Sequence, residues 1–239
     1  MITTMLLFLS LAVASGAQVS PGHEHFKTGM MALAAEQYDK AEAEFRNAVL
    51  ADPLHDGAFY GLGQVYMATK RYPEAVKAYQ DSRAAFLAGI AAEKYDAAAT
   101  DRRVRDQLQV LKDYGRELQR MPSTASGVGA AIDRNRENIR QLESRLNKPI
   151  GGGSPPVPAG LSMALGSAYY RAQNVEAAEK EYLEAVKVNP AFGEAHNNLA
   201  VIYMITGRLD LADQEIALAE KAGFTVNPKL KDDLRSRRK

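Results

Sequence analysis

Most of the chemistry open to this chain would rest on four histidines, because it has no cysteine and so no thiolate for catalysis, thiolate metal ligand or disulfide. His23 and His25 flank Glu24 in a metal-like spacing. Residues two apart on a helix do not face each other, however, and a third ligand is missing. His25 and His196 stand four residues before Gly29 and Ala200, at equivalent places in a repeat where a side chain packs on the neighbouring helix. Register explains both without catalysis. His55 falls in the turn after Pro53. No G-x-S-x-G elbow, Walker-type loop or dinucleotide fingerprint occurs; Gly61-x-Gly63 and Gly127-x-Gly129 lack the third glycine. Carboxylates recur with the helix period and do not converge in pairs. The sequence predicts no enzyme, no cofactor and no metal site.

What remains is surface, and the elements that present it. A chain of 239 residues, 46% hydrophobic and 25% charged, can bury a real core and is too apolar for wholesale disorder. Its net charge of +1 exerts no global pull on nucleic acid or acidic lipid. Acidic excess over 18–82 and 159–228 alternates with basic excess over 83–158 and 229–239. Arg102, Arg103, Arg105, Arg134, Arg136 and Arg140 are interleaved with Asp and Glu, the pattern of solvated faces, and no aromatic platform accompanies them. Nucleic acid is not an expected partner.

One interval organises the chain. The step from Gly29 to Gly63 equals the step from Gly166 to Ala200, and its length is that of one helix–turn–helix repeat. Twelve residues after each come Ala41, Ala75, Ala178 and Ala212; four further on, the bulky Phe45, Tyr79, Tyr182 and Ile216; three beyond those, the small Ala48, Ser82, Ala185 and Ala219. Leu62, Leu165 and Leu199 precede the small residue, and Tyr66, Tyr169 and Tyr203 follow it by three. Thr28 and Ala32 depart from this in the first unit. Antiparallel helices approach closely only where their crossing residue is small, and bulky neighbours fill the flanking space. Pro53 and Pro190 end the second helix of their units.

The spacings Leu62-Gly63-x-x-Tyr66…Ala75-x-x-x-Tyr79 and Leu165-Gly166-x-x-Tyr169…Ala178-x-x-x-Tyr182…Pro190, with the run Glu194-Ala-His-Asn-Asn-Leu-Ala200, resemble the tetratricopeptide repeat, although the usual Trp is absent. The resemblance covers 22–89 and 159–226. It implies an all-α, tetratricopeptide-type helical-hairpin solenoid: two repeat pairs separated by a long helical hairpin. It also implies a non-enzymatic scaffold that binds a protein or peptide partner in the concave groove lined by the first helix of each unit. The residues projected there are Phe26, Met30, Leu33, Tyr60, Gln64, Met67, Met163, Ser167, Tyr170, Arg171, Asn197, Val201 and Met204. Chaperone-binding members clamp a terminal carboxylate with Lys, Arg and Asn. Phe26 and Met30 stand at the corresponding places of the first unit, and Asn198 matches one clamp position alone, so a free carboxylate is not the expected feature.

Between the pairs, 90–148 reads as a helical hairpin, with Val104, Leu108, Leu111 and Leu118 facing Ile132, Ile139, Leu142 and Leu146 in a narrow coiled-coil-like seam interrupted by Asn135. Two degenerate units continuing the superhelix are the alternative. Gly89 and Gly115 are candidate bends, and 121–127 is a turn. The Gly/Pro linker 149–158 suggests a hinge between the pairs, and 227–239 a basic cap and tail. At the start, the apolar run Met5–Ala14 followed by Ser15-Gly16-Ala17 has the pattern of a signal peptide, 1–17, cleaved near Ala17. The expected location is therefore exported, periplasmic or secreted, with no transmembrane span in the mature chain. A scaffold or assembly factor of the cell envelope is the first functional expectation. A self-assembling repeat protein with oligomerisation, or an accessory subunit of an envelope enzyme complex, are the others.

Overall fold

The computed structural model describes residues 21–93, 97–121, 128–146 and 156–238. The leader 1–17, the turn 121–127 apart from Met121, and most of the linker 149–158 lie outside them. The described residues form helices and turns with no strand: α1 (Pro21–Ala34), α2 (Tyr38–Ala51), α3 (Asp56–Ala68), α4 (Tyr72–Glu93), α5 (Ala97–Arg120), α6 (Val128–Leu146), α7 (Ala159–Arg171), α8 (Val175–Val188), α9 (Gly193–Ile205), α10 (Leu209–Lys221) and α11 (Pro228–Arg237). Four antiparallel pairs, α1–α2, α3–α4, α7–α8 and α9–α10, are the four units.

Each pair closes where the period places a small residue. The Phe45 ring of α2 lies between Gly29 of α1 and Gly61 of α3: a Cβ at Gly29 would stand 2.8 Å from the ring, and one at Gly61 2.5 Å. Tyr79 covers Gly63 in the same way, and Tyr182 covers Gly166, where a Cβ would come within 2.8 Å. The alanines that follow, Ala41, Ala75, Ala178 and Ala212, are buried beside them.

The first helix of each unit stops through a feature absent from the residue-type pattern. Glu36, Lys70, Gln173 and Gly207, again one period apart within each pair of units, take left-handed backbone with φ of 57°, 60°, 64° and 77°. The next amide reaches back to the preceding turn, as Arg71 N does to Tyr66 O at 2.8 Å and Arg208 N to Tyr203 O at 2.8 Å. This is the Schellman arrangement, satisfying carbonyls that the helix end would orphan. It reverses the chain within a short turn, so the second helix returns along the first.

Units two and three are direct neighbours although the whole of 90–158 separates them in the chain. Leu161, Ala164, Leu165 and Ala168 of α7 share one buried cluster with Ala75, Ala78 and Tyr79 of α4. Arg83 of α4 makes a two-pronged ion pair with the buried Glu181 of α8, one arm 2.9 Å long, and Gln80 donates to the Tyr169 hydroxyl at 2.8 Å. These contacts oppose the hinge suggested by the linker, and they leave no room for degenerate units continuing the stack between α4 and α7.

The intervening α5 and α6 pair with each other, and α5 returns to lie on α1. Val104, Leu111 and Leu118 are buried in this region, while Ile132, Ile139 and Leu142 are half-buried. Asn135 is buried too. Its amide donates to the Leu111 carbonyl at 2.9 Å and fills the room left by Gly115, where a Cβ would meet it at 2.6 Å. Gly115 therefore serves as a socket within α5. At the other end, α11 caps α10 by burying Leu234, with Val226 and Leu230 joining the same cluster.

The crossings set a test. Gly166→Ala is expected to lose about 1–3 kcal/mol of unfolding free energy from overpacking against Tyr182, despite alanine's helix preference of about 1 kcal/mol. Gly160→Ala, whose Cβ meets nothing within 4 Å, should be neutral or slightly stabilising. Urea unfolding of the two variants beside the parent checks both signs.

Candidate partner-binding surface

Polar ties hold the first helices in place, and they recur in register. Glu42 of α2 accepts from Arg46 Nη2 at 2.8 Å, from the Tyr66 hydroxyl at 3.1 Å and from Arg71 Nη1 at 2.8 Å. Arg71 lies 4.4 Å over the Tyr66 ring. Glu179 repeats this, taking both arms of Arg208 at 2.6 and 2.5 Å while Arg208 sits 4.5 Å over Tyr203. Burial pushes the Glu42 carboxyl up, but the hydrogen bonds from Arg46 and Tyr66 and the Arg71 charge outweigh it and hold the group below its ordinary value.

Three of the four histidines make structural ties of the same kind. His25 Nδ1 lies 2.7 Å from Glu44, and His196 Nδ1 lies 2.6 Å from Glu215, each joining the two helices of one unit. His196 Nε2 also meets the Pro190 carbonyl at 3.0 Å. His55 caps α3, its Nδ1 accepting from Ala58 N at 3.1 Å, and stacks on Phe26 with ring centroids 4.7 Å apart. No group of three metal-ligating side chains occurs among the described residues.

The thirteen residues projected onto the groove divide accordingly. Phe26 is not available: it is 8% exposed, wedged between Phe45 and His55. Met204 is equally buried in the last units' core, its carbonyl taken by Arg237 of α11 at 3.1 Å. Both belong to the core instead. Met30 and Leu33 pack at the edge of the first cluster, and Met30 also touches the cluster formed by α5. Tyr60, Gln64, Met67, Met163, Ser167, Tyr170, Asn197 and Val201 are half-buried and Arg171 is exposed. All but Arg171 lie at matching positions on α3, α7 and α9. Ser167 is turned inward: its hydroxyl donates to Met163 O at 3.0 Å and accepts from Tyr182 at 3.2 Å. The sequence pattern does not single out α5 as a cover for α1, since no local periodicity encodes a contact between helices so distant in the chain.

A profile of the tetratricopeptide repeat matches residues 26–88 and 163–223, more than half of the chain. The chain belongs to the tetratricopeptide repeat family. Members of this family are generally non-catalytic scaffolds that bind protein partners. Among curated proteins, subunit 3 of the anaphase-promoting complex of Schizosaccharomyces pombe is 41% identical over 54 residues, which is 23% of this chain and 7% of that protein. The chain thus spans a small fraction of that relative's length. A Pseudomonas aeruginosa pilF structure is 15% identical with a TM-score of 0.36, covering 92% of this chain and 90% of that one. A thermophilic tetratricopeptide protein of Thermus thermophilus is 20% identical with a TM-score of 0.29, covering 90% and 98%. The tetratricopeptide assignment rests on the matched profile and the recurring residues.

The Tyr182 phenol, which both covers Gly166 and reaches Ser167 behind the groove, gives the repeat an alkaline limit. Burial raises it to about 12 from an ordinary 10. A raised folded value means stability that is present below pH 10 and lost as pH climbs towards 12. Unfolding followed from pH 8 to 11.5 should show this loss, and Tyr182→Phe should flatten the profile above pH 10.

Proposed function

We propose that this protein is an exported, non-catalytic scaffold or assembly factor of the cell envelope, holding an extended peptide or helix of another protein across α3, α7 and α9. The observation that supports it is one row of half-buried side chains, Tyr60, Gln64 and Met67, then Met163 and Tyr170, then Asn197 and Val201, at equivalent positions on three successive first helices. On the same three helices Val65, Ala168 and Ile202 are fully buried. Methionine and tyrosine suit an adaptable apolar groove, and amides suit the backbone of an extended ligand. The Met5–Ala14 run followed by small residues supports export. No described helix is long and apolar enough to cross a membrane.

Crosslinking and pull-down from an envelope extract tests this reading. The Tyr60→Ala/Val201→Glu protein should recover the partner at least tenfold less than the parent while its melting temperature stays within a few degrees. Recovery unchanged by these substitutions would put the partner elsewhere. A bound peptide should also tolerate amidation of its C-terminus, since the groove lacks the basic clamp of the carboxylate-binding members.

A further inference from the structure

The α5–α6 seam sets one apolar side chain against another in every layer but one. Near the turn, Leu118 is fully buried in a cluster with Ile132 of α6 and with Met30, Met31 and Ala34 of α1. One layer further, Asn135 lies over Gly115. Continued at helical spacing, the two antiparallel stripes set Leu111 across from Ile139 and Leu108 across from Leu142. Sliding α6 by one turn, about 5.4 Å, exchanges one branched aliphatic side chain for another in these layers. Swaps of similar volume discriminate weakly between registers. Lys112 and Glu143 also pair across the seam at 2.9 Å, but their side chains are 44% and 43% exposed, so water screens the pair. The connecting Pro122-Ser-Thr-Ala-Ser-Gly127 carries no large apolar side chain to pin the hairpin.

Asn135 breaks this degeneracy. It is 4% exposed, and its amide donates to the Leu111 carbonyl at 2.9 Å. Gly115, the one glycine of α5, makes room for that approach, since a Cβ there would stand 2.6 Å from the amide nitrogen. The side-chain oxygen is buried, and no donor among the described residues reaches it. A buried polar atom without a partner destabilises a fold, and an apolar side chain of the same size would avoid that loss. Asn135 therefore adds little to how firmly α5 and α6 hold together. It decides where they do so. In a register slipped by one turn, Asn135 faces Leu111 or Leu118, and its amide loses the carbonyl as well.

We propose that Asn135 and Gly115 form a register lock, a conformational device that confines the α5–α6 hairpin to one alignment at some cost in stability. The alignment matters beyond the hairpin. Ile132 of α6 and Met31 of α1 both pack in the Leu118 cluster, so a slipped α6 withdraws Ile132 from the layer where the hairpin rests on the first unit. The lock is separate from the α3, α7 and α9 row and does not depend on it.

Spin labels on the full chain test the lock, because no native cysteine competes for labelling. Gln109→Cys and Asp133→Cys place one label on the exposed side of each helix, and pulsed electron resonance reads the distance between them. The otherwise unchanged protein should give a single distance. Asn135→Leu should add a second one, displaced by several ångströms and populated to at least a fifth, while the melting temperature stays level or rises. Gly115→Ala, whose new Cβ displaces the amide, should also add the second distance, and it decides the matter should the leucine variant fail to fold. Gly115→Asn/Asn135→Gly exchanges the partners across a seam that is roughly two-fold symmetric, and should restore the single distance. One unshifted distance in both single variants would overturn the proposal. Two distances in the exchanged variant would do so too, since the pair would then not be what sets the register.

Discussion

Close approach of two helices over a residue with almost no side chain is the constraint on which the rest of this molecule depends. A ring seated on a glycine, as Phe45 is between Gly29 and Gly61 and Tyr182 is on Gly166, removes apolar surface from water and fixes where along each helix the crossing falls. Once that point is fixed, the lengths of both helices and the turn between them follow. The next unit must repeat the same interval for its own first helix to find the second helix before it. The row of half-buried side chains left on the first helices is therefore a by-product of packing, held to register by the core behind it.

Electrostatics adds a second layer at the same interval. Glu42 with Arg71 and Tyr66, and Glu179 with Arg208 and Tyr203, tie the second helix of one unit to the end of the following first helix. The carboxylates are half-buried but the arginines are exposed, so water screens both pairs and their worth lies mainly in fixing the register. Arg83 and Glu181 extend this to the boundary between units two and three, where the carboxylate is more deeply buried. Losing one partner of such a pair strands the other charge and costs more than the pair contributes.

The residue types disclose the period, the crossing glycines and the covering rings because those choices are dictated locally, by the room available at each crossing. The helix-terminating positions are hidden. Glu36, Lys70 and Gln173 share a left-handed backbone but no chemistry, and only Gly207 carries the usual residue. Phe26 and Met204 pass for groove residues because groove and core positions lie about 100° apart on a helix. At both ends of the stack extra neighbours, the His55 loop and α11, turn that margin into burial. Asn135 reads as a flaw in an apolar stripe. Its meaning depends on Gly115 of the facing helix, which no helical period connects to it.

The segment 90–158, between the second and third units, enters and leaves the stack at one boundary without disturbing the α4–α7 seam on either side of it. A solenoid with nearest-neighbour contacts has no register that such an excursion could upset, because each seam is specified by the two helices that form it. Such a seam behaves as a grafting point, where evolution can add an appendage to a finished rod without renegotiating the rod.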